Sequence, residues 1–537
     1  MTEEDKAEFN SSGGKVTNGA TLRTMLAVRH VLFTANRVLG SEISSGTVSL
    51  NGGPGKGQTG VNSVKASARE LSGLNPNLRI VVQLSSPCAF IDAACFKNIK
   101  GEDVVFPVDL SVFMNSLMFA CANQNGLAMT LLELFNFDGV SIRRREVESI
   151  RAGPGGEVGG LVGQTFAEAQ EWITECILIG VVDPSAPYDR DCGLAPSRSR
   201  KLKASDLLVF LDDNSIPTYD PEGPSKAAAA RERMKILSQK LNKSAKPILP
   251  KENILVCGWR DEWGDDPMRL KKLVLDIAHD LASGSNIVFL NMKTEEAFDA
   301  IMEDIDFSKI GESQYKCLGT TIHHKRGDAG CMDELCEVVM ELDFHTSIVL
   351  GTQAGIDLDS HSRDTRVLSI LLMLRDLHSD KVERLGSSVP HMHVIGENQE
   401  DTTSTLALPP KTEQHNSVEP DFINSQAISA RVLVQTLAYP HISKAVAEIF
   451  TEEEGKATIA FEACEGIIPI DTPIDFATVR EFVLDAAEKS RPIVIGVSVS
   501  PKQSASAGPI VLPSDDFTMS YGAGDRLIMI KLYESNN

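Results

Sequence analysis

One run of elements occurs twice in this chain, and a duplicated unit must fold twice the same way from largely different side chains. Leu131-Leu-Glu-Leu-Phe135 recurs as Val446-Ala-Glu-Ile-Phe450 at an offset of 315, and Ile177–Val182 recurs as Ile493–Ser498 at 316. Asp206–Leu211 recurs as Asp525–Ile530 at 319. Three blocks at a nearly constant offset identify two copies of one module. Each copy is predicted to close with a helix, a strand with a central glycine, a turn, and a strand opened by aspartate. Further upstream, Ile80–Leu84 matches His393–Glu397 at 313, and a predicted helix Thr21–Phe33 matches Val367–Ser379 at 346. The jump in offset marks an insertion in the first copy, which contains the glycine-rich run Ser45–Gly60.

Ahead of the closing elements, the second copy alternates short β-branched runs with helical-period segments. Strands are predicted at Ile254–Gly258, Ile287–Leu290, Cys317–Ile322, Ser347–Leu350 and His393–Ile395. Helices are predicted at Asp266–Leu281, Glu295–Ile305, Met332–Leu342 and Thr365–Leu377. Single helices between short strands make right-handed crossovers, so an α/β fold with a mostly parallel, Rossmann-like sheet is expected. The first copy has only a polar tail in the matching place. Its module is expected to be truncated, either because the chain is a fragment or because its start codon lies too far downstream.

Prolines bracket the stretch Pro217–Pro250, which reads as a linker holding a mostly exposed helix over Ser225–Lys243, with a Met234/Leu237/Leu241 stripe. The polar segment Gly396–Val418 reads as a mobile loop. The expected division is residues 1–216 for the truncated first module and 217–251 for the linker. Residues 252–400 then form the Rossmann-like lobe of the second module, and 401–537 its carboxyl-terminal lobe. A chain of 537 residues is too long for one core.

With 74 acidic and 52 basic side chains, the net charge is −22. Such a surface repels phosphate backbones, which excludes nucleic acid and makes cations the natural partners. A membrane span needs roughly 18 consecutive apolar residues. Leu368–Leu374 is stopped by Arg375 and Asp376, and Val112–Ala122 is broken by Asn115 and Ser116. The acidic amino terminus has no apolar core of a secretory signal. The 10 cysteines form no C-x-x-C pair and no zinc spacing, and read as reduced thiols.

The turn after the first Rossmann strand is where a dinucleotide fold places its glycine-rich phosphate cradle. Here Gly258 is followed by Trp259 and Arg260, and acids crowd the helix start, so NAD is not expected; Asp265 or Asp266 is expected to cap the helix instead. Gly52–Gly60 lacks the spacing of a phosphate loop and reads as a flexible insertion. No nucleophile–base pair stands out, and His323, His324, His391 and His393 read as structural. No catalytic residue is assigned, and the chain is not expected to be an enzyme. Calcium needs about six to eight converging oxygens. Asp357 and Asp359, beyond a strand end, are the first candidates for a Ca²⁺ site, and Asp261 and Glu262 the second.

Ile254-Leu-Val-Cys-Gly-Trp-Arg260 resembles the strand–Gly-Trp-Arg signature that opens the second regulatory module of CASTOR/POLLUX/SYM-type ion channels. Ser362–Leu372 and Asp421–Ala430 resemble further segments of that family, and Thr21–Val28 resembles the corresponding helix of its first module. The resemblance covers nearly the whole chain. It implies tandem RCK (regulator of K⁺ conductance) modules, four subunits in a gating ring, and Ca²⁺ bound at acidic positions. It also implies a separate membrane pore, absent from this chain, in an organelle or nuclear-envelope membrane. The residues after Arg260 depart from the family's form. Two other readings stay open: a nucleotide-binding Rossmann-type sensor or oxidoreductase, and a free-standing oligomeric scaffold.

Overall fold

A computed structural model describes residues 79–84, 105–109 and, with short interruptions, 117–241, 251–400, 419–500 and 508–533. The predicted helix Thr21–Phe33, the run Ser45–Gly60, the extent of the first copy's sheet and loop residues 401–418 lie outside the described residues. The chain divides into two units, residues 1–112 with Leu433–Pro440, and residues 113–432 with 441–537. In the first unit β1 (Ile80–Leu84) and β2 (Val105–Asp109) pair in parallel, Ile80 opposite Val105. Arg79 donates to the Ala438 carbonyl.

The second unit begins with the closing elements of the first copy. These are α1 (Leu127–Leu134), β3 (Ser141–Glu146), α2 (Phe166–Trp172), β4 (Ile177–Val182), β5 (Gly193–Leu194) and β6 (Leu207–Asp212), with sheet order β3-β6-β4-β5. Then comes α3 (Gly223–Ser238), mostly exposed as expected.

An eight-stranded sheet follows. Its elements are β7 (Asn253–Cys257), α4 (Pro267–Asp280), β8 (Asn286–Asn291), α5 (Glu295–Asp304), β9 (Ser308–Gly311), β10 (Gln314–Cys317), β11 (Thr320–Arg326), α6 (Met332–Glu341), β12 (Thr346–Val349), α7 (Ser360–Leu385), β13 (His393–Asn398) and β14 (Glu419–Asn424). The strand order β9-β10-β11-β8-β7-β12-β13-β14 contains the doubly wound pattern that starts from β7 and reverses between β7 and β12. Leu255, Val288 and Val349 on one face pack with Leu335 and Val339 of α6 and Ile370, Leu371 and Leu374 of α7. The apolar stripe predicted for α4 is buried as well, at Leu270, Leu273, Val274 and Ile277.

The chain then passes through α8 (Ser425–Ala438) and α9 (Ser443–Glu448) into β15 (Ala457–Ala463), α10 (Phe476–Ala486), β16 (Ile493–Val499), β17 (Gly508–Val511) and β18 (Arg526–Leu532). The sheet order is β15-β18-β16-β17, the order of the first copy element for element. The agreement reaches single residues. The register breaks between Leu178 and Gly180 in one copy and between Val494 and Gly496 in the other. The aspartates that open β6 and β18 are both buried. Asp206 accepts from the Lys203 amide and pairs with Arg200, while Asp525 accepts from the Ser500 and Gly522 amides. Even the β1–β2 pair recurs, because His393 stands opposite Glu419, 313 and 314 residues after Ile80 and Val105.

Three local readings differ. The predicted strand Cys317–Ile322 is a hairpin, because Leu318 and Gly319 take φ of 47° and 92° and turn β10 directly into β11. The helix predicted from Thr365 begins at Ser360, since the Asp359 side chain accepts the Ser362 amide and caps it. The parallel sheet also takes a further strand, β14, from beyond residue 400.

Candidate regulatory site

In a doubly wound sheet, ligands enter the crevice between the strands where the order reverses. Here that point is closed by protein. Gly258 has φ of 105°, and a β-carbon there would fall 2.6 Å from the Thr352 carbonyl oxygen. Its amide donates to Leu290 O at 2.9 Å, and the next amide, of Trp259, donates to Thr352 O at 3.2 Å. The Trp259 ring is fully buried. It meets Trp263 edge-on at 5.2 Å and packs with Phe289 and Phe298, while the Lys293 ammonium lies 5.1 Å from its centroid. Two of the amides that a pyrophosphate would meet there, those of Gly258 and Trp259, are already spent on backbone carbonyls.

Arg260 turns the other way, across the closed crevice. Its guanidinium pairs with Glu397, at the end of β13, at 3.0 Å, and a nitrogen of the same group lies 3.0 Å from the sulfur of Met118 in the first copy. The Gly-Trp-Arg motif thus combines a tight turn, an aromatic plug and a cationic bridge.

The first copy docks on this lobe through its helix α1. Asp421 of β14 accepts the Gly126 amide at 3.1 Å, just before the helix, and its other oxygen accepts the Phe422 amide. At the far end, Arg431 of α8 donates to the Leu132 carbonyl at 2.6 Å. An anion at the amino end and a cation near the carboxyl end complement the helix dipole, a gain of about 0.3–1 kcal/mol for each at exposed sites and more when water is partly excluded. Gln124 accepts the Phe461 amide at 2.8 Å. Phe135 and Phe450, the same position of the two copies, lie against each other with centroids 5.0 Å apart. His393 at the start of β13 hydrogen-bonds the backbone of Ala122, and burial pushes its imidazole down to about 4.

Of the candidate Ca²⁺ ligands, Asp357 and the side chain of Glu262 lie outside the described residues. Asp359 is exposed, and the hydrogen bonds that make it the cap of α7 hold its pKa below the ordinary value. Asp261 is exposed, and its carbonyl accepts the Gly264 amide. Among the described residues, no three His, Cys, Asp or Glu side chains converge as a metal site would require. Asp266 and the side chain of Asp265, the expected helix caps, are likewise undescribed.

Two further acids, one buried and one half-buried, lie at the same sheet edge. Asp364 accepts the amides of Gln399 and Glu400, both at 2.9 Å, and Asp328 pairs with Arg366 at 2.5 Å. Their partners lie 35 to 38 residues away, so no local spacing marks these pairings. His324 stacks on Phe298 at 4.4 Å, with its Nε2 3.3 Å from Asn291 Oδ1. Burial pushes that ring too down to about 4.

No protein-family model matches the chain. In sequence it is 25% identical, over 410 residues, to the probable ion channel CASTOR of Oryza sativa subsp. japonica; the match covers 72% of this chain. The chain spans about two fifths of that relative, 41% of its length. In fold it is similar to the human SLO3 gating ring, with a TM-score of 0.52 over 89% of this chain and 85% of that one, at 11% identity. Among the described residues, no helix is long and apolar enough to cross a membrane.

Proposed function

We propose that this chain, a CASTOR/POLLUX-like protein with the tandem RCK fold of a gating ring, is the ligand-responsive regulatory region of a cation channel. The observation that carries the reading is the docking of α1 between Asp421 and Arg431 of the other copy. One copy is held against the other by directional bonds and by the Phe135–Phe450 contact, a junction proposed to take two positions. A ligand that prefers one position shifts the balance by its difference in affinity, and no bond of the ligand need be broken. In a ring of four subunits these shifts would sum into pull on a pore in an organelle or nuclear-envelope membrane. The modules divide as residues 1–216, a linker 217–251, a Rossmann-like lobe from 252 and a carboxyl-terminal lobe to 537, with the lobe boundary best placed after β14.

Calcium is the proposed ligand. The described carboxylates do not make a calcium cage by themselves, so the proposal rests on Asp357 with Asp359, and next on Asp261 with Glu262. Millimolar Ca²⁺ is expected to raise the melting temperature more than Mg²⁺ does, and Asp357→Asn with Asp359→Asn is expected to remove the difference. NAD(H) or ATP at the same concentration should leave the melting curve where it was. An unchanged curve in saturating Ca²⁺ rejects calcium as the ligand.

A further inference from the structure

The linker helix α3 makes more specific bonds than a tether needs. Gly223, Ala227, Ala230, Met234, Leu237 and Leu241 form a seam with alternating steps of four and three, small residues first. The small end lies hard against α2. Gly223 and Ala230 are buried, and a β-carbon on Gly223 would fall 2.0 Å from the Glu171 carbonyl oxygen. The start of the helix is fixed there as well. The Asp220 amide donates to Trp172 O at 2.7 Å, and Tyr219 stacks on Trp172 at 4.7 Å.

The other flank of α3 meets α10 of the second copy. Arg233 donates to Thr478 Oγ1 and to Asp475, both at 3.0 Å. Helices α2 and α10 are the same element of the repeat. Phe166 and Phe476 are both buried and stand 310 residues apart. Thr165 and Asp475, also 310 apart, accept amides three residues on as caps. At that spacing Glu171 corresponds to Glu481. Both carboxylates are bound by one side chain, for Arg231 donates through its Nε to Glu481 at 3.2 Å and through Nη2 to Glu171. A planar guanidinium can serve two carboxylates from different edges at once, which a lysine ammonium does less well.

We propose that Arg231 is a positioning residue. It latches the two copies of the carboxyl-terminal lobe together by holding the same glutamate of each, so that α3 acts as a strut between them. A change of angle between the lobes must then break one arm of the fork. The proposal rests on the duplicated fold and not on calcium, so either can fail alone.

Hydrogen exchange of the whole chain, followed by mass spectrometry, tests it. Arg231→Ala is expected to speed exchange at least tenfold in both α2 and α10, with the amides of β7, β8 and β12 unchanged as an internal check on folding. Glu171→Gln, which touches only the first copy, is expected to speed exchange at least threefold in α10 of the second. That transmitted effect should vanish when Arg231→Ala is already present. An effect of Glu171→Gln confined to α2 would overturn the latch, as would Arg231→Ala changing exchange only within α3. Recovery of slow exchange by Arg231→Lys to the wild-type level would overturn the two-armed reading.

Discussion

Gly496→Ala is expected to destabilise the protein by about 2–3 kcal/mol, and Gly180→Ala by a similar amount, although neither residue touches the proposed regulatory site. The cause is steric. Each glycine sits at a register break where the bulged strand passes close to its neighbour. A β-carbon on Gly496 would fall 2.3 Å from the carbonyl oxygen of Ile510, and one on Gly180 2.6 Å from that of Gly193. Backbone atoms of a paired strand cannot swing aside as a side-chain end can, so the ladder must shift. Gly311→Ala makes the control, since its new methyl would meet only the flexible end of Gln314 at 3.2 Å. Urea midpoints for the three variants measure the difference. Equal losses at Gly180 and Gly496, with little at Gly311, are expected of two copies sharing one bulge. A neutral Gly496→Ala would mean that the close approach is not a constraint.

Stability is also expected to fall steeply between pH 6.5 and pH 4. Burial pushes the imidazoles of His324 and His393 down to about 4, against an ordinary value of 6.5. His323 and His378 are lowered too, again chiefly by burial. The folded rings refuse protons that the unfolded chain accepts, so their contribution is present in full above about 6.5 and is lost as pH falls toward 4. Each ring that stays neutral in that window costs about 1.4 kcal/mol per pH unit. Asp299 and Asp475 have lowered pKa values, and their contributions fade only below the ordinary aspartate value of 3.8, outside this window. The groups around His393 are His391 and Arg526, whose charges oppose a proton, and the Ala122 backbone, which favours one. Melting curves from pH 8 to pH 4.5 should run level and then drop, and His324→Gln with His393→Gln should roughly halve the acid slope. An unaltered slope in the double variant would place the acid sensitivity elsewhere.

How much of this was legible in the sequence follows from the range of the forces involved. The duplication could be read because each block is an apolar run whose neighbours in space are also its neighbours in the repeat. Alternating strands and helices were readable for the same reason, down to the stripe on α4. The hairpin at Leu318-Gly319 was hidden because leucine carries no turn signal and continues an apolar run. The CASTOR/POLLUX resemblance rested on short segments such as Ile254–Arg260, and the rice relative and the gating-ring fold agree with it. The docking contacts were not legible. Asp421 and Gly126 are 295 residues apart, Arg431 and Leu132 are 299 apart, and nothing local distinguishes them from other charged residues. Arg231 is equally inconspicuous, one cation among several on a polar helix, until the fold puts both copies of one glutamate beside it. The acidic positions were chosen for being near strand ends, a rule that locates an edge but not a cage. It led to Asp359, whose side chain caps a helix.

Two docked copies are proposed to build the subunit of a ring that senses a ligand. Sedimentation velocity across micromolar concentrations tests this most directly. The predicted result is a species near four times the monomer mass of 58.2 kDa, held together at low micromolar protein. A monomer at every concentration, with and without Ca²⁺, would contradict it.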